Sequence, residues 1–271
     1  MVIDMALETI QAIDVHAHFG KYCGAPLEIM NQWMSGSAAE VVRRARLAHT
    51  RLTMVSPLEA LLPRLGGKPV PANAAAAKIV AATEGLLQWM VVDPRRKQTL
   101  RQAEEMLDRP KCIGIKIHPE EHGYPIAEYG RAVFEFASAH QAIIQSHSGD
   151  KSSMPADFVG LANDFPQVPL IISHLGCGWD NDLTHQVRAI QKSKHGNLYT
   201  DTSSARSITS NLLEWAVKEI GAEHVLYGTD SPLYFAPMQR ARVDQAAISD
   251  QDKCLILRDN ALRLFGKKIA V

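Results

Sequence analysis

The stretch AIDVHAHFG at 12–20 carries the first chemical signal of this sequence. His16 and His18 stand two apart at the end of a short apolar run, and side chains at i and i+2 of a strand point to one face. Two imidazoles on one face can reach a single ion at the roughly 2.0–2.1 Å that zinc–nitrogen bonds require. Alone the pair is a weak signal, because two histidines on a strand serve many ends. It gains weight because the same event recurs. His147 closes the run AIIQSH, His174 closes PLIISH, and Asp230 closes HVLYGTD. Lys116 and His118, again two apart, close CIGIKIH. Asp14 shares the alternation of His16 and His18 and would lie one step deeper. A buried carboxylate needs partners, so Asp14 either supports one of the histidines or is purely structural.

These residues require elements that deliver strand ends to one place. Eight short apolar runs recur along the chain, starting near 12, 52, 87, 112, 142, 169, 197 and 224. They are continuous rather than alternating, as parallel strands covered on both faces should be. Helical spacing lies between them at 72–83, 99–107, 126–140, 210–220 and 250–265. The last opens with Ser249 as N-cap and ends before Gly266. Strand and helix alternating in this way predict a (β/α)8 barrel of the TIM type, whose catalytic groups come from the C-terminal strand ends. An open doubly wound sheet is the runner-up, but no Gly-rich phosphate-binding turn follows any run. No linker, repeat or internal boundary appears, so 1–271 reads as one domain. The segment 20–50 should contain a helix and a loop over the mouth, and 57–71, rich in Pro and Gly, an irregular loop.

Composition narrows the partners. The chain has 271 residues, 46% hydrophobic and 21% charged, with net charge +0. That fits a cored globular protein and gives no footing for nucleic acid or a membrane surface. Four cysteines without CxxC spacing argue against a disulfide framework. The N-terminal MVIDMALETI lacks a basic region followed by a long apolar stretch, and no run is long enough to span a bilayer. A cytoplasmic setting and a small-molecule substrate are the expectations. Oligomeric state is not legible, and a homodimer is the commonest symmetric assembly.

The motifs D-V-H-A-H, G-I-K-I-H-P, S-H, I-S-H-L-G and Y-G-T-D-S-P, in this order, resemble the amidohydrolase superfamily. More narrowly they resemble the amidohydrolase-related branch that includes aminocarboxymuconate-semialdehyde decarboxylase-like proteins. The closing I-L-R-D-N-A-L-R-L-F-G is similar to that branch's last helix, so the likeness runs over 13–266. The resemblance implies a distorted barrel with one divalent metal ion, zinc being the usual one, at its mouth. It implies His16, His18, His147 and Asp230 as metal ligands, and His174 as the histidine that polarises the substrate or assists proton transfer. In binuclear relatives a lysine ending the fourth strand is carboxylated and bridges two metals, so Lys116 leaves a second metal open. The branch is generally mononuclear, and an unmodified Lys116 would then contact an anionic substrate. His118 is a substrate contact, an extra ligand or a structural residue.

From this constellation, hydrolysis of an amide, lactone or ester is the favoured expectation. The metal would lower the pKa of its water from 15.7 towards roughly 7. Asp230 would take the proton, while His174 stabilises charge on the carbonyl oxygen. The alternative is metal-dependent, non-oxidative decarboxylation of a small carboxylic acid, with Arg206 as a carboxylate-binding candidate. A non-catalytic binding protein on a retained barrel is a third reading, disfavoured by the complete ligand set. There is no GxSxG nucleophile elbow. Cys23 and Cys177 follow strands and are read mainly as packing residues. Tyr22, Trp33, Tyr124, Trp179 and Tyr234 are candidates for a lid or pocket wall.

Overall fold

The computed structural model describes residues 10–269. The N-terminal stretch read above lies outside them except for Ile10. All eight expected strands form: β1 (Ala12–Phe19), β2 (Thr50–Pro57), β3 (Leu86–Val91), β4 (Cys112–Ile117), β5 (Ile144–Ser146), β6 (Leu170–Ile172), β7 (Leu198–Asp201) and β8 (Val225–Leu226). They pair in sequence order and every pair is parallel. Hydrogen bonds from Val15 N to Tyr227 O and from His18 N to Ser231 O bring β1 against the β8 side. With helices between the strands, this is a (β/α)8 barrel.

The barrel is plugged rather than hollow. Ile13, Val15, Met54, Trp89, Ile171 and Leu226 pack with Phe265 from the last helix in one interior cluster. A second shell of apolar contacts joins the outer strand faces to the helices, as where Ile115, Ile117 and Ile144 meet Val133, Phe134 and Phe158. His16, His18, Lys116 and His147 lie in or just after the C-terminal ends of β1, β4 and β5, where barrels place their catalytic groups.

Strand β1 departs from simple alternation. Its register against β2 slips between Asp14 and Ala17, a bulge that re-aims side chains. Val15 belongs to the interior cluster, whereas Ala17 and Phe19 pack outward with Ala38 and Val41. The Val15 carbonyl accepts Trp89 Nε1–H and Gln145 Nε2–H, each at 2.9 Å. A turned carbonyl inside an apolar plug needs such donors, since an unpaired one would cost about 1–3 kcal/mol.

The connections are more ordered than their composition suggested. The segment 20–50 holds two helices, Glu28–Trp33 and Ala38–Leu47, rather than one. The segment 57–71 is not an irregular loop: it contains helix Leu58–Leu61, a 3-10 turn Pro63–Leu65 and the start of helix Pro69–Ala82. Prolines occupy first-turn positions there, where a missing N–H costs nothing and a fixed φ favours the helix. Ser249 caps its helix as expected, accepting Asp252 N–H at 3.1 Å. Gly266 follows the last helix with φ +47°. Among the described residues no helix is long and apolar enough to cross a membrane.

Candidate active site

His16 is held from both ends. Its Nδ1 lies 2.9 Å from Asp201 Oδ2, so Nδ1 carries the proton and Nε2 presents a lone pair to the barrel mouth. His18 follows the same plan: Nδ1 lies 3.3 Å from the Ser56 carbonyl, which can only accept, and 2.9 Å from Ser56 Oγ. Its Nε2 stands 2.8 Å from Asp230 Oδ1, and His16 Nε2 stands 3.6 Å from the same oxygen. Burial, reinforced by Lys116, pulls His16 down to about 4, so it is neutral near pH 7. Burial opposes the Asp230 carboxylate, but His18, His16 and His174 around it hold it below the usual range.

The backbone is strained where these groups sit. His174 and Asp230 both have positive φ, +73° and +54°, at a cost of order 1–3 kcal/mol each for side-chain-bearing residues. Two hydrogen bonds hold the turns: His174 N–H to Asp201 Oδ1 at 3.0 Å and Asp230 N–H to the His16 carbonyl at 2.8 Å. Close approach is also required at Gly228, where an added Cβ would lie 3.1 Å from His16 Cβ and 3.2 Å from Asp201 Cβ.

The β4 and β5 side is arranged differently. Lys116 is fully buried, and its Nζ lies 3.0 Å from His16 Nε2. Burial pulls its ammonium down to about 8, with Asp201 and Asp230 opposing. His118 stacks on His147 with ring centroids 4.0 Å apart, and its Nδ1 accepts Glu121 N–H at 3.2 Å, capping the short helix Pro119–His122. His147 turns its Nε2 to Asp150 Oδ2 at 2.7 Å. The ligand atoms of His16, His18 and Asp230 all lie within 4.8 Å of one another, and His147 is outside that group.

These residues line a cavity of about 170 Å³. Its walls come from Leu58, Leu61 and Leu62 on the segment after β2 and from Leu233 and Tyr234 after β8. Arg64, just beyond the leucines, ion-pairs with Glu121 at 2.6 Å and ties that segment to the β4 side. Cys177 also lines the cavity, with its thiol pushed up to about 11 by burial. Cys23 is exposed. Of the candidate lid aromatics, Tyr234 alone is among the residues lining this cavity; Tyr124 is buried beside Arg95, and Trp33 and Trp179 are exposed.

One sequence expectation needs correction, and one open alternative is decided. Arg206 does not line the cavity: it is exposed, and its guanidinium donates to Asn181 Oδ1 at 2.8 Å. Asp14 contacts neither ring. It accepts His16 N–H, Thr229 N–H and Thr229 Oγ1–H, tying β1 to the turn after β8. The β1 bulge explains this, because alternation fails between Asp14 and Ala17. Burial pushes the Asp14 carboxyl up to about 8.

Sequence reasoning missed Asp201 and Ser203. Asp201 accepts on Oδ1 from the N–H of His174 and of Ser203, and from the Ser203 hydroxyl. Its Oδ2 accepts from His16 Nδ1 and, at 3.4 Å, from Gln145 Nε2. Burial works against this carboxylate, but His16 and the hydrogen bonds hold it well below the usual range. The available signal was the polar end of NLYTDTS, which places these side chains at a strand end like the histidines.

The donor set fits a divalent ion. Two histidines whose Nδ1 protons are already engaged turn bare Nε2 atoms towards a carboxylate oxygen, and three electron-rich atoms together call for a cation. Hydrogen-bonded Nδ1 atoms of this kind are what orient metal-binding imidazoles. The pattern and the fold define an amidohydrolase-type centre. A family model described as amidohydrolase matches residues 13–267, and the chain belongs to that family. It is an enzyme fold of the amidohydrolase superfamily. No curated protein matches.

Several solved structures share the architecture. A 5-carboxyvanillate decarboxylase from Sphingomonas paucimobilis is 15% identical, with TM-score 0.72 over 94% of this chain and 99% of that one. A 2,6-dihydroxybenzoate decarboxylase from Rhizobium is 14% identical, with TM-score 0.71 over 94% and 99%. A dihydroxybenzoic acid decarboxylase from Polaromonas, holding manganese and 2-nitroresorcinol, is 15% identical, with TM-score 0.73 over 96% and 99%. At these identities the likeness carries the fold. The expectation of hydrolysis is corrected here: most of the similar solved structures named are decarboxylases, beside a putative amidohydrolase from Staphylococcus aureus, and they fit the decarboxylase alternative better than hydrolysis.

Proposed function

We propose that this protein is a metal-dependent decarboxylase that removes carbon dioxide from a small carboxylic acid. The observation that carries this reading is Lys116. It is a fully buried ammonium beside the candidate metal ligands, and among the described residues no carboxylate lies within ion-pairing distance of its Nζ. Asp201 and Asp230 act on it only from beyond ion-pairing distance, so the buried charge is incompletely compensated and costly, and an anionic substrate supplies a closer counter-ion. The cavity of about 170 Å³ is smaller than the ~300 Å³ at which pockets for drug-sized ligands begin. With leucines on its walls, it suits a single-ring or short-chain acid. The decarboxylases that share the fold support the same direction.

His16, His18 and Asp230 would hold the ion, with His147 as the further candidate ligand. When bound, the ion supplies Lewis-acid stabilisation of negative charge on an adjacent oxygen. Manganese, as in the Polaromonas protein, and zinc, which suits histidine and carboxylate ligands, are the ions to load. Lys116 pairs with the substrate's anionic oxygen, and His118 borders the same space. The leucine wall excludes water from the reacting carbon. Asp230 Oδ1 faces the Nε2 atoms of the two histidines, and Oδ2 has no hydrogen bond among the described residues. Oδ2 is therefore the carboxylate atom that would first take a proton from water and then pass it to the carbon losing its carboxylate, leaving hydroxide to be neutralised by solvent. The electrons of the broken C–C bond end in the new C–H bond, and carbon dioxide leaves.

The test is a screen of small aromatic and aliphatic carboxylic acids, with the protein loaded with manganese or zinc. Expected are released carbon dioxide and, in deuterium oxide, one deuterium at the vacated carbon. Cleavage of esters or lactones with no carbon dioxide from any acid would overturn the proposal.

A further inference from the structure

Ser203 touches two histidines that come from different strand ends. Its Oγ lies 3.0 Å from His16 Nδ1 and 2.7 Å from His174 Nδ1, and it also contacts Asp201 Oδ1. One hydroxyl has one proton to give, so the hydrogens in this cluster can be assigned.

Asp201 receives N–H donors on both oxygens. Oδ1 takes the backbone N–H of His174 and of Ser203, and Oδ2 takes His16 Nδ1–H and the Gln145 amide. Neither oxygen is left with a direction for a proton of its own, so the group is a carboxylate that only accepts. Its contact with Ser203 Oγ requires the serine hydroxyl to be the donor. Ser203 Oγ then offers only lone pairs to His174, and His174 Nδ1 must carry the proton. His16 Nδ1–H already points at Asp201, with Ser203 as a second acceptor, so Ser203 matters more to His174 than to His16.

We infer that Ser203 is a positioning residue that fixes His174 as the Nδ1–H tautomer, so that its Nε2 meets the substrate as a proton acceptor. One carboxylate, Asp201, thereby sets both histidines: His16 directly, and His174 through Ser203. The assignment adds to the decarboxylase reading, on which it rests for its catalytic meaning. It narrows the substrate to an acid that also presents an O–H or N–H to His174. The Ser203 side chain is fully buried.

The tautomer is read directly by two-bond proton–nitrogen NMR of 15N-histidine-labelled protein loaded with diamagnetic zinc. Nδ1–H on His174 of the unaltered protein is expected; a proton on Nε2 overturns the inference. This measurement needs no substrate, so it stands or falls apart from the decarboxylase reading. Ser203→Ala is expected to lose the single tautomer and to lower kcat about 10–100-fold, the usual effect of removing a partner that orients a catalytic imidazole. KM and zinc affinity should stay within about threefold, and Ser203→Thr, which keeps a hydroxyl, should restore most of kcat. A parallel loss of zinc affinity in Ser203→Ala, or unchanged kcat with an unchanged tautomer, would overturn it. Asp201→Asn, by contrast, should weaken zinc binding and kcat together.

Discussion

The two sides of the barrel mouth are built on different plans. On the side formed by β1, β7 and the turn after β8, both edges of His16 and His18 are assigned, and Asp201 is saturated with donors. On the β4 and β5 side, Lys116 has no anionic partner within ion-pairing distance among the described residues. His118 lies flat on His147, and His147 reaches out to Asp150, whose side chain is partly exposed. The first side is fixed before anything binds. The second keeps groups whose partners are incomplete, which is what a surface meeting a variable ligand requires. Rigid ligand geometry and substrate accommodation are thus divided between halves of one ring of strand ends.

Asp230→Ala attacks the fixed side at its centre and carries the largest expected effect. Turnover should fall by about 10³-fold or more, because both a ligand and the proposed proton carrier are lost. Titration calorimetry should show weakened manganese or zinc binding. Retained metal binding with near-normal turnover would remove Asp230 from the chemistry.

A paired measurement tests the division itself. His16→Ala should reduce metal affinity about 100-fold or more, whereas His147→Ala should reduce it less than about tenfold while still lowering turnover. Outer partners of metal ligands alone are worth 10–100-fold, so the two variants are resolvable. Equal losses of affinity would make His147 a ligand of the same standing and erase the contrast.

The smallest effect belongs to a residue outside both sides. Arg206→Ala should leave kcat/KM within about threefold, because its exposed guanidinium bonds Asn181 rather than lining the cavity, and such surface contacts are worth little. A tenfold rise in KM for an anionic substrate would return Arg206 to the site.

Much of the fold was legible because most strands are short apolar runs followed by a polar residue. His16, His18, His147, His174 and Asp230 could be placed at strand ends from that pattern alone. Asp201 was less legible, since it sits in the more polar run NLYTDTS, where a carboxylate reads as a turn residue. Asp14 could not be decided from the sequence because a period of two assumes an unbroken ladder, and in the bulged β1 the Val15 carbonyl pairs with Trp89 and Gln145, far along the chain.

The sequence by itself determined the barrel, the order of its strands and the residue types available at its mouth. These follow from local periodicity and from the rule that parallel strands deliver their ends to one face. Only the tertiary structure decided which nitrogen of each histidine faces the cavity, that His147 pairs with Asp150, and that Asp201 and Ser203 order two imidazoles. The reason is distance along the chain. His16 and Asp201 are 185 residues apart, and Lys116 and His16 are 100 apart, so their hydrogen bonds exist only once the barrel has closed.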